Sequence, residues 1–304
     1  MQLMITRGAL YSTSAFVRPT QTCLTKRTFS SVSPVELEYD EYIPPNGNKT
    51  ERPLVILHGF FGSKRNWQSL SKAFTRDLER PVYTLDLRNH GSSPHIRPMT
   101  YTHMAADVLD LCTRLSLSNI SLLGHSMGGK AAMTFALHPE TPPSLLKDLI
   151  VSDIAPVRAK VSADTVLHVQ GMEKIQASNI TSRKEANEIL DKYEKDPSVR
   201  AFLLTNLSTN TNGSPLKFKI PIDILKECRP EIESFPYAPG ERAWNGHTLF
   251  VKGTKSKFIN WHNESLIKCF FPESTIEELD TGHWIHAEMP NEFKKLVVDF
   301  VKSS

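Results

Sequence analysis

A series of short, continuous apolar runs, each separated from the next by helical spacing, limits what this chain can fold into. Leu54-Val55-Ile56-Leu57, ending at His58-Gly59, is the clearest of them. A run without polar alternation suits a strand buried on both faces, as in a parallel sheet. Val82 to Leu85, Ile120 to Leu123, Leu149 to Ser152, Thr248 to Val251 and Thr275 to Leu279 look similar. Trp67 to Phe74, Tyr101 to Leu115, Met127 to Leu137, Trp261 to Phe270, and Glu292 to Val301 behind Pro290 carry the helical pattern. Val35 to Ile43 differs, because its apolar and polar residues alternate as in a half-buried antiparallel strand. The sequence thus predicts an α/β fold with a mostly parallel sheet flanked by helices. In such sheets ligands bind beyond the carboxyl ends of the strands, so chemistry belongs in those loops.

One region interrupts the alternation. Residues 156–242 hold no convincing buried strand and contain helical charge patterns such as Ser182 to Leu190. The polar stretch Ser208 to Ser214 reads as a loop. The whole segment is expected to be a helical lid inserted between two strands. A length of 304 residues then accommodates one such domain over 35–304. A composition of 39% hydrophobic and 23% charged residues supports a packed core over disorder. No apolar run is long enough to span a membrane.

The N-terminus is expected to lie outside this domain. Arg7, Arg18, Lys26 and Arg27 are accompanied by Ser and Thr, and no acid occurs before Glu36. With no continuous apolar segment, residues 1–34 have the profile of a mitochondrial transit peptide, with cleavage near Phe29/Ser30 and delivery to the matrix. Of 36 basic residues, those four lie in the leader, so 32 remain against 33 acids. That balance gives no reason to expect a nucleic-acid partner. Cys23, Cys112, Cys228 and Cys269 form no C-x-x-C pair, which argues against a disulfide scaffold, a zinc ribbon or a thioredoxin-type site.

The chemical signal lies in Gly124-His125-Ser126-Met127-Gly128 between an apolar strand and an Ala-rich helix. A serine on a tight strand-to-helix turn projects its hydroxyl into a cleft, and only small neighbours permit the turn. Helix N–H groups starting at Met127 aim at the same point. His58-Gly59-Phe60-Phe61-Gly62 follows the first apolar strand, and the N–H groups of Phe60 and Met127 can pair as an oxyanion hole. Serine needs a base, and His283, just after the last predicted strand, is placed to serve. His286 is the competitor, expected inside or beside the following helix as a packing residue.

With these stretches in view, the chain resembles the α/β-hydrolase superfamily from about Val35 to Phe300. Within it, the chain resembles a mitochondrial branch that includes yeast ethanol acetyltransferases and related esterases. The resemblance rests on His58 to Ser63, Asp86 to Ser93, Gly124 to Lys130, Asp153 to Pro156, Gly282 to Glu288, and the lid segment Val199 to Leu207. The common pattern places an acid after the penultimate strand, but Gly253-Thr254-Lys255-Ser256-Lys257 contains no carboxylate. The branch resembled implies an acid at Asp153 instead, after the preceding strand. Asp280 is expected to fix a turn, and Asp86 and Arg88 to form a hydrogen-bonded turn near the cleft.

The resemblance and the motifs imply a serine-nucleophile acyl hydrolase or acyltransferase of short-chain esters or thioesters. Ser126 would attack, His283 would relay the proton, and Asp153 would orient the ring. The expected partners are a small acyl ester or thioester, with acetyl-CoA and a short alcohol for the transfer reaction. No metal or bound cofactor is needed. The rival class is a non-catalytic mitochondrial binding protein on a hydrolase scaffold.

Overall fold

The apolar runs do form strands in the computed structural model, which describes Phe29, residues 32–209 and residues 214–304. The strands are β1 (Tyr39–Tyr42), β2 (Leu54–Leu57), β3 (Val82–Leu85), β4 (Ile120–His125), β5 (Leu146–Ser152), β6 (His247–Gly253) and β7 (Ser274–Leu279). They build one sheet in the order β1-β3-β2-β4-β5-β6-β7, with β1 antiparallel to β3 and the other neighbours parallel. The helices are α1 (Gln68–Leu78), α2 (Tyr101–Arg114), α3 (Met127–Leu137), α4 (Ala163–Ala177), α5 (Arg183–Leu190), α6 (Pro197–Leu204), α7 (Ile222–Glu227), α8 (Arg229–Glu233), α9 (Trp261–Phe270), α10 (Ile285–Glu288) and α11 (Pro290–Lys302). No helix among the described residues is long and apolar enough to cross a membrane.

Period-two geometry sorts the strand residues between two cores. Leu54 and Ile56 of β2 join Phe74 of α1 and Phe293 and Val297 of α11 on one face. Val55 and Leu57 join Leu111 of α2 and Phe135 of α3 on the other. Both faces of the central strands are therefore dry, which explains why they read as continuous apolar runs.

Two strand expectations change at the sheet edges. The alternating run from Val35 to Ile43 pairs only over Tyr39–Tyr42, because side chains claim the earlier backbone. Asp107 accepts the Val35 N–H at 2.8 Å, and the Ser93 hydroxyl accepts that of Glu38 at 2.9 Å. β7 is an edge strand with Glu277 and Glu278 exposed, not one buried on both faces.

Residues between β5 and β6 form α4 to α8, as the interrupted pattern implied. Ser182 caps α5 by accepting the Glu185 N–H at 3.2 Å, while the Glu185 carboxylate accepts the Ser182 N–H in return. The polar loop expected from Ser208 to Ser214 falls in part outside the described residues. So does most of the expected leader. Its boundary at 34, however, includes Phe29 and Val32, and Phe29 is buried with its ring stacked 3.4 Å from that of His138.

The sheet order places the loops that matter. The chain leaves β2 for β3 on one side and returns to β4 on the other, so β2 and β4 are neighbours whose following connections diverge. Leu57 of β2 is level with Gly124 of β4, and His125 with Ser152 of β5. The loops after β2, β4 and β5 consequently open side by side at this switch point.

Candidate active site

Ser126 stands between β4 and α3 at φ 53°, ψ −116°, a conformation that costs a non-glycine residue about 1–3 kcal/mol. Its surroundings impose it. The Ser126 N–H donates to Ser152 O at 3.0 Å, and its carbonyl accepts the Lys130 N–H at 3.0 Å. A Cβ on Gly128 would lie 2.5 Å from the carbonyl oxygens of Leu57 and His58, so α3 can approach β2 only with glycine there. A Cβ on Gly59 would lie 2.7 Å from His125 Nδ1 and 3.3 Å from Ser126 Cβ. The turn after β2 therefore abuts the serine, and its next residue, Phe60, lines the same cavity as Ser126 and Met127. Met127 opens α3, so its N–H has no acceptor within the helix.

The structure brings the sequence-predicted serine, histidine and acid into one chain of contacts. His283 Nε2 is 3.0 Å from Ser126 Oγ, and His283 Nδ1 is 2.7 Å from Asp153 Oδ2. Asp153 is wholly buried at φ 50°, with its N–H donating to Val251 O at 2.9 Å. Its Oδ1 accepts the Gly253 N–H at 3.1 Å, and its Oδ2 also accepts the Ser256 hydroxyl. An ionised carboxylate only accepts hydrogen bonds, so His283 carries its proton on Nδ1. Nε2 is then a bare acceptor facing the serine hydroxyl. Phe258 stacks on the His283 ring at 4.1 Å, and His125 Nε2 donates to the His283 carbonyl at 2.9 Å, which fix the ring and its loop.

The competing residues are placed elsewhere. His286 stacks on Trp67 at 4.3 Å, and burial pulls its pKa down to about 3, so it is a neutral packing group. Asp280 is exposed, bonded to Thr254 Oγ1 and Lys255 Nζ at 3.0 Å each; these hold its carboxyl below the usual range. His58 bridges the loops: Nε2 accepts the Leu87 N–H at 3.0 Å, so Nδ1 donates to Gly59 O at 2.8 Å. Burial lowers its pKa to about 4, which keeps that tautomer neutral.

The expected turn at Asp86 and Arg88 is half right. Asp86 accepts the N–H groups of Lys64 and Ser92 at 2.8 and 2.9 Å. Arg88 instead makes a fork with Asp107 of α2, two bonds of 2.6 Å in a fully buried pair. Spacing along the chain could not show that partner, since α2 must first pack beneath the loop.

A cavity of about 690 Å³ lies over Ser126 and His283. The sheet side supplies Phe60, Met127, Phe258 and Trp284, and the insertion supplies Val161, Phe202, Leu203 and Ile232. Polar ties join the insertion to the sheet body, at the surface from Arg97 to Asp223 and Glu227 and elsewhere beneath it. Asn206 Nδ2 donates to Phe61 O at 2.8 Å, Tyr101 Oη to Ile232 O at 2.9 Å, and Lys130 Nζ to Ser234 O at 2.9 Å. Burial pulls the Lys130 ammonium down to about 8. Ser256 and Lys130 were visible in sequence only as members of the acid-free loop and of the glycine-rich stretch. Their contacts depend on packing between distant segments.

A strained serine between a parallel strand and a buried helix, with histidine and carboxylate from later strand ends, defines a hydrolase of the α/β class. The alpha/beta hydrolase fold family matches residues 52–290, and the chain belongs to it. It is 37% identical to the sn-1-specific diacylglycerol lipase ABHD11 of Xenopus laevis, over 89% of this chain and 85% of that one. It is 34% identical to a probable alcohol acetyltransferase of Saccharomyces cerevisiae, over 88% and 84%. Among solved structures, a marine microorganism esterase superposes with a TM-score of 0.78 at 32% identity, covering 88% of this chain and 99% of that one.

Proposed function

We propose that the protein is a serine acyl hydrolase or acyltransferase acting on short-chain esters or thioesters through an acyl-enzyme. The observation that carries this is the continuous line from Ser126 Oγ through His283 to Asp153, at 3.0 and 2.7 Å. Ser126 Oγ attacks the acyl carbonyl as its proton passes to His283 Nε2. The buried Asp153 carboxylate balances the imidazolium that forms. The carbonyl oxygen, now negative, accepts the N–H groups of Phe60 and Met127. Collapse of the tetrahedral species expels the alcohol or thiol, which takes the proton from His283. Water or an alcohol, deprotonated by the same nitrogen, then frees the acyl group.

Hydrolysis and transfer differ only in that second nucleophile. The cavity of about 690 Å³ greatly exceeds a short acyl group, leaving room for an acceptor alcohol or a carrier such as coenzyme A. Its aromatic walls disfavour water, and α4 to α8 act as the lid. A fluorophosphonate probe labels Ser126 if this is right; an unlabelled serine returns the protein to a binding role on a hydrolase scaffold. Release of ethyl acetate from acetyl-CoA and ethanol, compared with release of acetate, separates the two reactions.

The basic, acid-free N-terminus supports delivery to the mitochondrial matrix. Because Phe29 packs on His138, removal of the leader is proposed ahead of that ring. N-terminal sequencing of the imported protein tests both points.

A further inference from the structure

The cavity has a second polar pole that the acyl-transfer steps leave unused. His168 of α4 lines its wall, with Nε2 2.6 Å from Glu194 Oε2. The two side chains are only 9% and 16% exposed. The ring meets that of Phe61 edge-on at 6.4 Å, and Phe61 directly follows the oxyanion residue Phe60. The dyad therefore lines the same cavity as the reacting centre and is not on the outer surface.

Its acid is held as firmly as a catalytic one. Glu194 Oε1 accepts the Asp196 N–H at 2.7 Å. Arg200 of α6 donates to the carbonyls of Glu194 and Lys195 at 3.0 and 2.9 Å, locking the turn after α5. Desolvation opposes ionisation of Glu194, but the Asp196 N–H and His168 together hold its carboxyl below the usual range. An ionised acceptor requires the proton on His168 Nε2. His168 Nδ1 has no hydrogen-bond partner among the described residues, and the residue lines the cavity.

We infer that His168, oriented by Glu194, is a specificity-determining residue that hydrogen-bonds a free hydroxyl carried by the substrate away from its scissile carbonyl. This rests on the acyl-transfer function proposed above. A hydroxyl fits because it donates to a bare Nδ1 and accepts from a protonated one, so it suits either state of the ring. Val161, Val199 and Leu203 form the apolar part of the wall beside the dyad, and Asp164 and Thr165 of α4 line the cavity next to it. A substrate lacking the hydroxyl leaves the dyad unpaired in a desolvated site, which is the condition for strong discrimination.

Two ester pairs locate the hydroxyl. One compares an acyl p-nitrophenyl ester with its ω-hydroxyacyl counterpart; the other compares propyl and glyceryl esters of the same acid. The wild-type enzyme is expected to prefer the hydroxylated member of one pair by about tenfold or more in kcat/KM, chiefly through KM. His168→Phe should bring that ratio close to one, His168→Gln should retain part of it, and Glu194→Gln should weaken it. A thermal melt of each variant confirms folding, and Glu194→Gln, which preserves shape, serves if His168→Phe does not fold. No hydroxyl preference in the wild type, or a preference that survives in folded His168→Phe or, if that variant does not fold, is undiminished in Glu194→Gln, overturns the inference. If simple esters are cleaved without such preference, only the inference fails; if none is cleaved and Ser126 stays unlabelled, the function itself fails.

Discussion

The sheet body and the inserted helices face the same cavity but place their polar groups by different means. On the sheet side, strand register does the placing: His125 lies opposite Ser152, Ser152 opposite Val251, and Gly253 opposite Leu279. Backbone bonds across these strands set Ser126 and Asp153 with no freedom of their own. On the insertion side, His168 and Glu194 are set by helix packing and by Arg200, and the unit is tied down by contacts such as Asn206 to Phe61. The reaction is thus written into the rigid layer and the choice of substrate into the layer that can be repacked.

The comparison is broken most directly by substitutions on the sheet side. Ser126→Ala should lower kcat on the order of 10⁶-fold, as for other triads, while the fold remains intact. Asp153→Asn should cost on the order of 10³–10⁴ in kcat with little change in KM. Asn tolerates the positive φ found at this position, so the variant isolates loss of the charge. Asp280→Asn and Glu264→Gln should each stay within about twofold, because their partners are Lys255 and Lys252 at the surface. A crippled Asp280→Asn beside an active Asp153→Asn would move the acid to another strand end.

Acid should distinguish the two regions by stability. His58, His90 and His286 are pulled by burial to about 4, about 3 and about 3, and His125 well below its ordinary value. All lie in or beside the strand-end loops. Below about pH 6.5 the unfolded chain binds protons that the folded chain refuses, so stability falls as pH drops from there toward 4. Each should account for about 1 kcal/mol between pH 7.5 and 5.5, measured as urea midpoints against pH. His58→Gln should make that slope shallower, and an unchanged slope would show that His58 is not buried neutral.

A modest effect belongs to the tie between the regions. Asn206→Ala removes the bond to Phe61 O and should raise KM for a short ester by about two- to fivefold, with kcat less affected. A fall in kcat alone would mean that the insertion positions the oxyanion turn as well as the substrate.

How much was legible in sequence follows the same division. Val82 to Leu85 and Leu54 to Leu57 were read to the residue, since strands dry on both faces leave no polar positions to blur their ends. Ser126 was legible because it follows such a strand, and His283 because it directly follows the last strand, although β7 is an exposed edge. Asp153 was reached through family resemblance, since its proximity to His283 depends on β5 lying between β4 and β6. His168 and Glu194 were not singled out at all. Their separation of 26 positions has no period, and only the fold of α4 against α5 brings them together.

The Ser256 hydroxyl on the Asp153 carboxylate bears on the ancestry of the site. Residue 256 lies in the loop after β6, and its hydroxyl touches the very oxygen that holds His283. A lineage can therefore transfer the negative charge in two substitutions, gaining a carboxylate at 256 and then losing the one at 153, while the imidazole stays where it is. The intermediate with an acid at both positions would crowd two carboxylates at hydrogen-bond distance, so one of them would hold a proton until the other is lost. The distance between the two placements of the acid is the length of a single hydrogen bond.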